Sequence, residues 1–172
     1  MPKVLYSRKG LAAMKWFFAF FLVAVLGVAV FGQQNPYGGH GYVHYGVAGA
    51  RSNFNTAYTV GVGGDGFVYK GLAAGASIEM LSAYKNIAAT AGLLSPTASW
   101  HFVDRKKDPK VVPFVNGGYS FAFNTRGHDS GFHFGGGVHW WFKPKYALRA
   151  GVQDHVFHAQ HLTVFQVGLA FR

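Results

Sequence analysis

Nine histidines, Glu79 and Arg149 are the residues through which this chain could do chemistry. The densest histidine run is His155-x-x-His158-x-x-His161. On a helix that spacing would gather imidazoles around a metal. On a strand, residues three apart face opposite sides, and a hairpin could at best bring His158 towards His161. No cysteine or carboxylate cluster completes a ligand set beside them, so the run reads as a polar hairpin and neither a metal nor another cofactor is expected. Asp154 next to His155 suggests the start of a hydrolytic triad, but no serine follows to act as nucleophile. No catalytic set is assigned, and the chain is expected not to be an enzyme.

The other candidate residues share a different logic. His44, His101, His133, His139, His155 and Gln153 each alternate with large apolar neighbours, which places them on the small, polar face of their segments. Glu79 and Arg149 lie on the same kind of face. If those faces turn inward, the histidines form a hydrogen-bonded lumen network with Ser99, Asn116, Gln153 and Gln166, because enclosed polar groups must be paired. A buried charge also needs a partner, so Glu79 and Arg149 are expected to interact, directly or through water.

The elements that must hold these residues are strands. In the last twelve residues, Thr163, Phe165, Val167, Leu169 and Phe171 alternate with Val164, Gln166, Gly168 and Ala170. One face is large and greasy and the other is small or polar. A soluble barrel buries its bulky apolar face; here that face is too aromatic for a narrow lumen, and the small face suits one. Seven earlier segments repeat the pattern, at about residues 41–49, 57–64, 71–83, 90–103, 111–124, 131–142 and 146–157. The expected fold is therefore all-β: an eight-stranded antiparallel up-and-down transmembrane barrel. Turns are expected near 64–70, 104–110 and 143–145, with short external loops near 50–56, 84–89, 125–130 and 158–161. Tyr45, Tyr58, Tyr119, Trp100, Trp140 and Phe171 are candidates for interfacial aromatic girdles. Inward glycines at 46, 61, 63, 75, 118, 135, 137, 151 and 168 would leave room for bulky polar residues opposite.

Residues 1–32 read differently. Lys3, Arg8, Lys9 and Lys15 precede an almost continuous apolar run from Trp16 to Phe31, followed by polar Gln33-Gln34-Asn35. This is the order of a secretory signal peptide, with a helix over about 13–31 and cleavage near Gly32. The mature barrel domain is then 33–172. Cysteine is absent, which excludes a disulfide-stapled secreted domain. The formal charge of +10 falls once the four leader cations are removed, and the remaining positives sit largely in expected turns. Nucleic acid is not an expected partner for an exported barrel. Membrane lipids, including phosphates of the lipopolysaccharide type, are.

The runs Gly61-Val-Gly-Gly-Asp-Gly, Lys70-Gly-Leu-Ala-Ala-Gly, Pro113-Phe-Val-Asn-Gly-Gly-Tyr, Gly135-Gly-Gly-Val-His-Trp-Trp-Phe and Val167-Gly-Leu-Ala-Phe resemble the OmpA/OmpX-type small outer-membrane barrels. The resemblance spans the mature chain and implies residence in the bacterial outer membrane. It also implies a terminal aromatic read by the barrel-insertion machinery; this chain adds Arg172 after Phe171. It implies a structural or envelope-interaction role with a plugged polar lumen and no wide pore. The alternatives are a lipid-modifying enzyme similar to lipid A deacylases, whose His-x-Ser-Asn run is missing here, and a narrow ion-conducting channel.

Overall fold

The computed structural model describes residues 38–50, 56–83, 86–103, 109–124, 127–158 and 160–172. The leader and its expected helix lie outside the described residues. Eight strands follow in order: β1 (His40–Ala50), β2 (Thr56–Tyr69), β3 (Leu72–Ala83), β4 (Asn86–His101), β5 (Val111–Asn124), β6 (Gly127–Lys143), β7 (Tyr146–Phe157) and β8 (Gln160–Phe171). Each pairs antiparallel with the next, and β1 pairs with β8, so the sheet closes into a barrel with no free edge.

The register sets the barrel's size. Following paired residues once around, from His40 through Asp65, Gly75, Thr97, Gly118, His133, His155 and Leu162, returns to β1 at Ala50, ten residues further along. A stagger of that size over eight strands tilts them strongly and leaves an interior that side chains just fill.

Alternation is obeyed on every strand. Val43, Tyr45 and Val47 are exposed on β1 while Tyr42, His44 and Ala48 are buried between them. On β8, Phe165, Val167, Leu169 and Phe171 are exposed and Val164, Gln166 and Ala170 are buried. Among the described residues, twenty-seven large apolar side chains stand on the outside, against nine buried apolar residues and sixteen buried polar ones. This is the reverse of a water-soluble protein and matches a barrel surrounded by hydrocarbon. The outward aromatics separate by height. Trp100, Trp140 and Phe171 lie near the end that holds the chain's entry into β1 and exit from β8; Tyr45, Tyr58 and Tyr119 lie towards the other end.

Several expected boundaries move, with β4 and β6 each starting about four residues earlier than expected, at Asn86 and Gly127. The Gly63-Gly64-Asp65-Gly66 run was expected to begin a turn over 64–70, but β2 continues through it to Tyr69. The turn is the pair Lys70-Gly71, with φ of +37° and +98°. Positive φ at both positions is what a two-residue hairpin requires. Strand β1 also starts one residue earlier than expected, at His40. In β4, Pro96 is an exposed strand residue paired with Ala76. Its missing N–H coincides with a gap in the β4–β5 ladder between Leu94 and Thr97.

Gly61 illustrates how tightly the lumen is filled. A Cβ added there would fall 2.6 Å from His44 Nε2 and 2.7 Å from the Glu79 Cγ. Gly61→Ala is expected to destabilise the barrel by about 1–3 kcal/mol through overpacking. Urea unfolding of the refolded mature chain from lipid vesicles measures this, and a change near zero would mean that the lumen has slack at that level.

Candidate functional site

All eight lumen residues expected from the sequence, Glu79, Arg149, His44, His101, His133, His139, His155 and Gln153, are buried and point into the barrel. They do not form one network. Seven of them divide among three clusters stacked along the axis, Gln153 being buried outside these clusters, and two members of the first, His40 and Asp65, were not among the expected residues.

The first cluster fills the terminal end. His40 from β1, Asp65 from β2, His101 from β4 and His139 from β6 meet there. Asp65 Oδ2 lies 3.5 Å from His40 Nε2 and 3.7 Å from His101 Nε2. Ser99 Oγ is 3.0 Å from His101 Nε2. The rings contact one another: His40 meets His139 edge-on at 4.7 Å, and His101 stacks on His139 at 5.6 Å. Phe67 and Phe114 close the sides.

The second cluster holds Glu79 and Arg149, and the direct form of the expected pair is not made. Glu79 makes no ion pair with Arg149. Its carboxylate accepts hydrogen bonds from Thr59 Oγ1 and Ser77 Oγ, both at 3.2 Å, and lies 3.6 Å from His44 Nε2. Arg149 Nη1 donates to Gln166 Oε1 at 3.1 Å. The guanidinium lies over the rings of Tyr42 and Phe114, at 4.2 and 4.7 Å. A planar cation stacked between aromatics needs no carboxylate to be held there. Sequence alternation gave the face of each residue but not its height, and height decides the partner.

The third cluster is a chain of hydroxyls and imidazoles near the far end. Ser120 Oγ is 2.8 Å from His133 Nδ1, 2.9 Å from His155 Nδ1 and 2.9 Å from Ser95 Oγ. Thr97 Oγ1 donates to the Ser95 carbonyl and is also 3.0 Å from His133 Nε2. For neutral rings the protons can be assigned. A hydroxyl has one proton, and Thr97 has spent its own, so His133 Nε2 must carry a proton and donate. Nδ1 of His133 is then an acceptor and takes the Ser120 proton. Ser120 accepts in turn from Ser95 and from His155 Nδ1–H. The chain ends at His155 Nε2, a buried acceptor with no hydrogen-bond partner in the protein.

Outside the barrel, the run of three histidines is split as strand geometry requires. His155 is enclosed, whereas His158 and His161 lie at the far rim. His158 Nδ1 contacts Asp129 at 2.9 Å. His161 Nδ1 is 2.6 Å from Asp154 Oδ2, and Thr163 Oγ1 donates to Asp154 Oδ1 at 2.8 Å. Asp154 thus partners His161, not the adjacent His155.

No protein-family model matches this chain, and no curated protein matches it either. Solved structures do. The chain is similar to Neisserial surface protein A (NspA), with a TM-score of 0.63 at 14% identity over 78% of this chain and 96% of that one. It has the fold of the small eight-stranded outer-membrane barrels. The N-terminal β-barrel domain of Pseudomonas aeruginosa OprF gives a TM-score of 0.57, also at 14% identity, over 77% of this chain and 96% of that one. A de novo designed transmembrane β-barrel gives 0.53 at 19% identity over 80% and 97%. The likeness to a designed barrel is informative in itself. It says that alternation, closure and stagger are enough to specify this architecture without a shared biological task.

Proposed function

We propose that this protein is an integral barrel of the bacterial outer membrane whose lumen is closed by packed polar side chains. Its role is structural or one of envelope interaction, with lipids of the lipopolysaccharide type as its surroundings. Residues 1–32 direct export, and the C-terminal strand ending at Phe171 is the segment offered to the insertion machinery. The observation that carries this reading is the inversion of the two faces: an outer wall of Phe, Trp, Tyr, Val and Leu around an interior of histidine, serine and threonine with Asp65, Glu79 and Arg149. Sixteen buried polar side chains among the described residues of an eight-stranded tube support the reading of a closed lumen.

A lipid-modifying enzyme is the second reading, and one observation favours it: Asp154, His161 and Thr163 share the outer wall at the far rim. The geometry is wrong for nucleophile activation. Thr163 directs its hydroxyl at the Asp154 carboxylate instead of the imidazole, so it is not aligned with a base.

Planar-bilayer conductance of the purified mature barrel, run beside a lipid A hydrolysis assay, tests the proposal. The expected result is no stable porin-sized conductance and no release of acyl chains. A steady large conductance would contradict the closed lumen. Acyl release abolished by His161→Ala would establish the enzyme reading.

A further inference from the structure

We infer that His40, His101, His139 and Asp65 form a binding site for one divalent transition-metal ion, with Zn²⁺ the best match. The expectation from the sequence was that no metal is bound, because it considered histidines close together in the chain. These four come from β1, β4, β6 and β2, and only closure of the barrel gathers them.

The donor set is three imidazoles and a carboxylate, borderline ligands that suit Zn²⁺ and exclude Ca²⁺ and Mg²⁺, which prefer oxygen alone. One ring nitrogen from each of His40, His101 and His139 lies within 4.8 Å of the others. Asp65 Oδ2 is already 3.5 and 3.7 Å from two of them. Tetrahedral bonds of 2.0–2.1 Å place ligand atoms roughly 3.3 Å apart. The carboxylate is therefore near its final spacing to His40 and His101 and would have to shift towards His139, while the rings need to close by about 1.5 Å at most.

Two further observations point to a ligand. Buried nitrogens in native proteins are nearly always satisfied, yet Nε2 of His40 and Nε2 of His139 have no hydrogen-bond partner in the protein. Beside them is a cavity of about 30 Å³, lined by His40, Phe67, His101, Val112, His139 and Trp141, which is enough for an ion to enter from the terminal end. The nearby cations already have partners, although Arg172 itself lines the cavity. Arg149 is committed to Gln166 and two aromatic faces, and Arg172 donates to the Pro144 carbonyl and lies over Trp141. His101 would exchange its Ser99 contact for the metal.

A bound ion would tie four strands together across the lumen and seal the terminal mouth. It would stabilise the folded barrel by an amount that grows with the logarithm of free metal above the Kd, because the unfolded chain has no preformed site. The inference needs only the fold and holds whichever functional reading is correct.

The test uses the untagged mature barrel, refolded and stripped of metal, titrated with ZnCl₂ by calorimetry and with CoCl₂ by visible absorption. The expected result is one Zn²⁺ per barrel and the intense Co²⁺ bands of a four-coordinate site. Affinity should fall at least tenfold in His139→Gln and in Asp65→Asn. His158→Gln/His161→Gln, at the opposite rim, should leave binding unchanged. If His139→Gln fails to fold, Asp65→Asn and the wild-type Co²⁺ spectrum still decide. No binding by the wild type, weak six-coordinate Co²⁺ bands, or loss of binding only in the rim variant would overturn the site.

Discussion

Phe165→Lys is expected to destabilise the barrel by about 2–4 kcal/mol when it unfolds from lipid vesicles, the cost of placing a lysine on the lipid face near mid-height. Phe165 is 65% exposed and lies near the middle of β8, between Val47 of β1 and Val152 of β7. Its cross-strand partners on the wall are apolar, so a lysine there must stretch rimwards, to water or to the Asp154 carboxylate one pair further along. The effect depends on depth. Phe171→Lys, at the last residue of the same strand and beside the exposed Arg172, is expected to cost about 0–1 kcal/mol. Both faces are accessible to the same experiment, reversible unfolding in urea. Equal small costs at both positions would mean that water, not hydrocarbon, surrounds β8.

The second large effect concerns the buried carboxylate. His44→Ala removes the only imidazole that contacts Glu79 and leaves that carboxylate with two hydroxyl donors in an enclosed space. Removing one partner of a buried ionisable pair typically costs about 3–5 kcal/mol, because the remaining charge is uncompensated. The double variant His44→Ala/Glu79→Gln is expected to recover part of that loss, giving a clear coupling energy in a double-mutant cycle. The corresponding cycle between Glu79 and Arg149 is expected to give coupling near zero, because their partners are separate sets of residues. Strong coupling of Glu79 to Arg149 with none to His44 would reverse the arrangement of the second cluster.

The fold was legible because a membrane barrel writes its two environments into alternate residues. Val43, Tyr45 and Val47 against His44, Gly46 and Ala48 are enough to define a strand and its faces. The same holds for Phe132 and Phe134 against His133 and Gly135. Boundaries were less legible. Glycine and aspartate usually announce a turn, and Gly63-Gly64-Asp65-Gly66 was read that way. In a narrow lumen, glycine instead relieves crowding, so the alternation runs on through Asp65 to Phe67, and the strand continues past a register shift to Tyr69. That single misreading removed Asp65 from the candidate residues, and starting β1 at Gly41 removed His40. With those two absent, the remaining half of the terminal cluster, His101 and His139, looked like ordinary lumen filler.

Partnerships were not legible for a different reason. Alternation assigns a residue to a face, but axial height follows from register, and register accumulates around the ring. Glu79 and Arg149 belong to β3 and β7, on opposite sides of the barrel, with no ladder between them to fix their relative height. His44 pairs directly with Gly61, and Gly61 with Glu79, so glycine's missing side chain lets the imidazole reach across to the carboxylate. That juxtaposition exists only once the β1–β2–β3 register is known.

The most direct measurement of the central claim, that the aromatic wall meets lipid and the polar face is enclosed, is fluorescence quenching by lipids brominated in mid-chain. It needs mature-chain variants carrying a single tryptophan, either at Phe165 as Phe165→Trp or at the native Trp141, with the remaining tryptophans replaced by phenylalanine. Trp141 is half-buried on the inward side and packs against Tyr42, Ala147 and Ala170. The account predicts strong quenching of the tryptophan at position 165 and little quenching at 141. Little quenching at 165 combined with strong quenching at 141 would contradict it, because the barrel would then present its polar face to lipid.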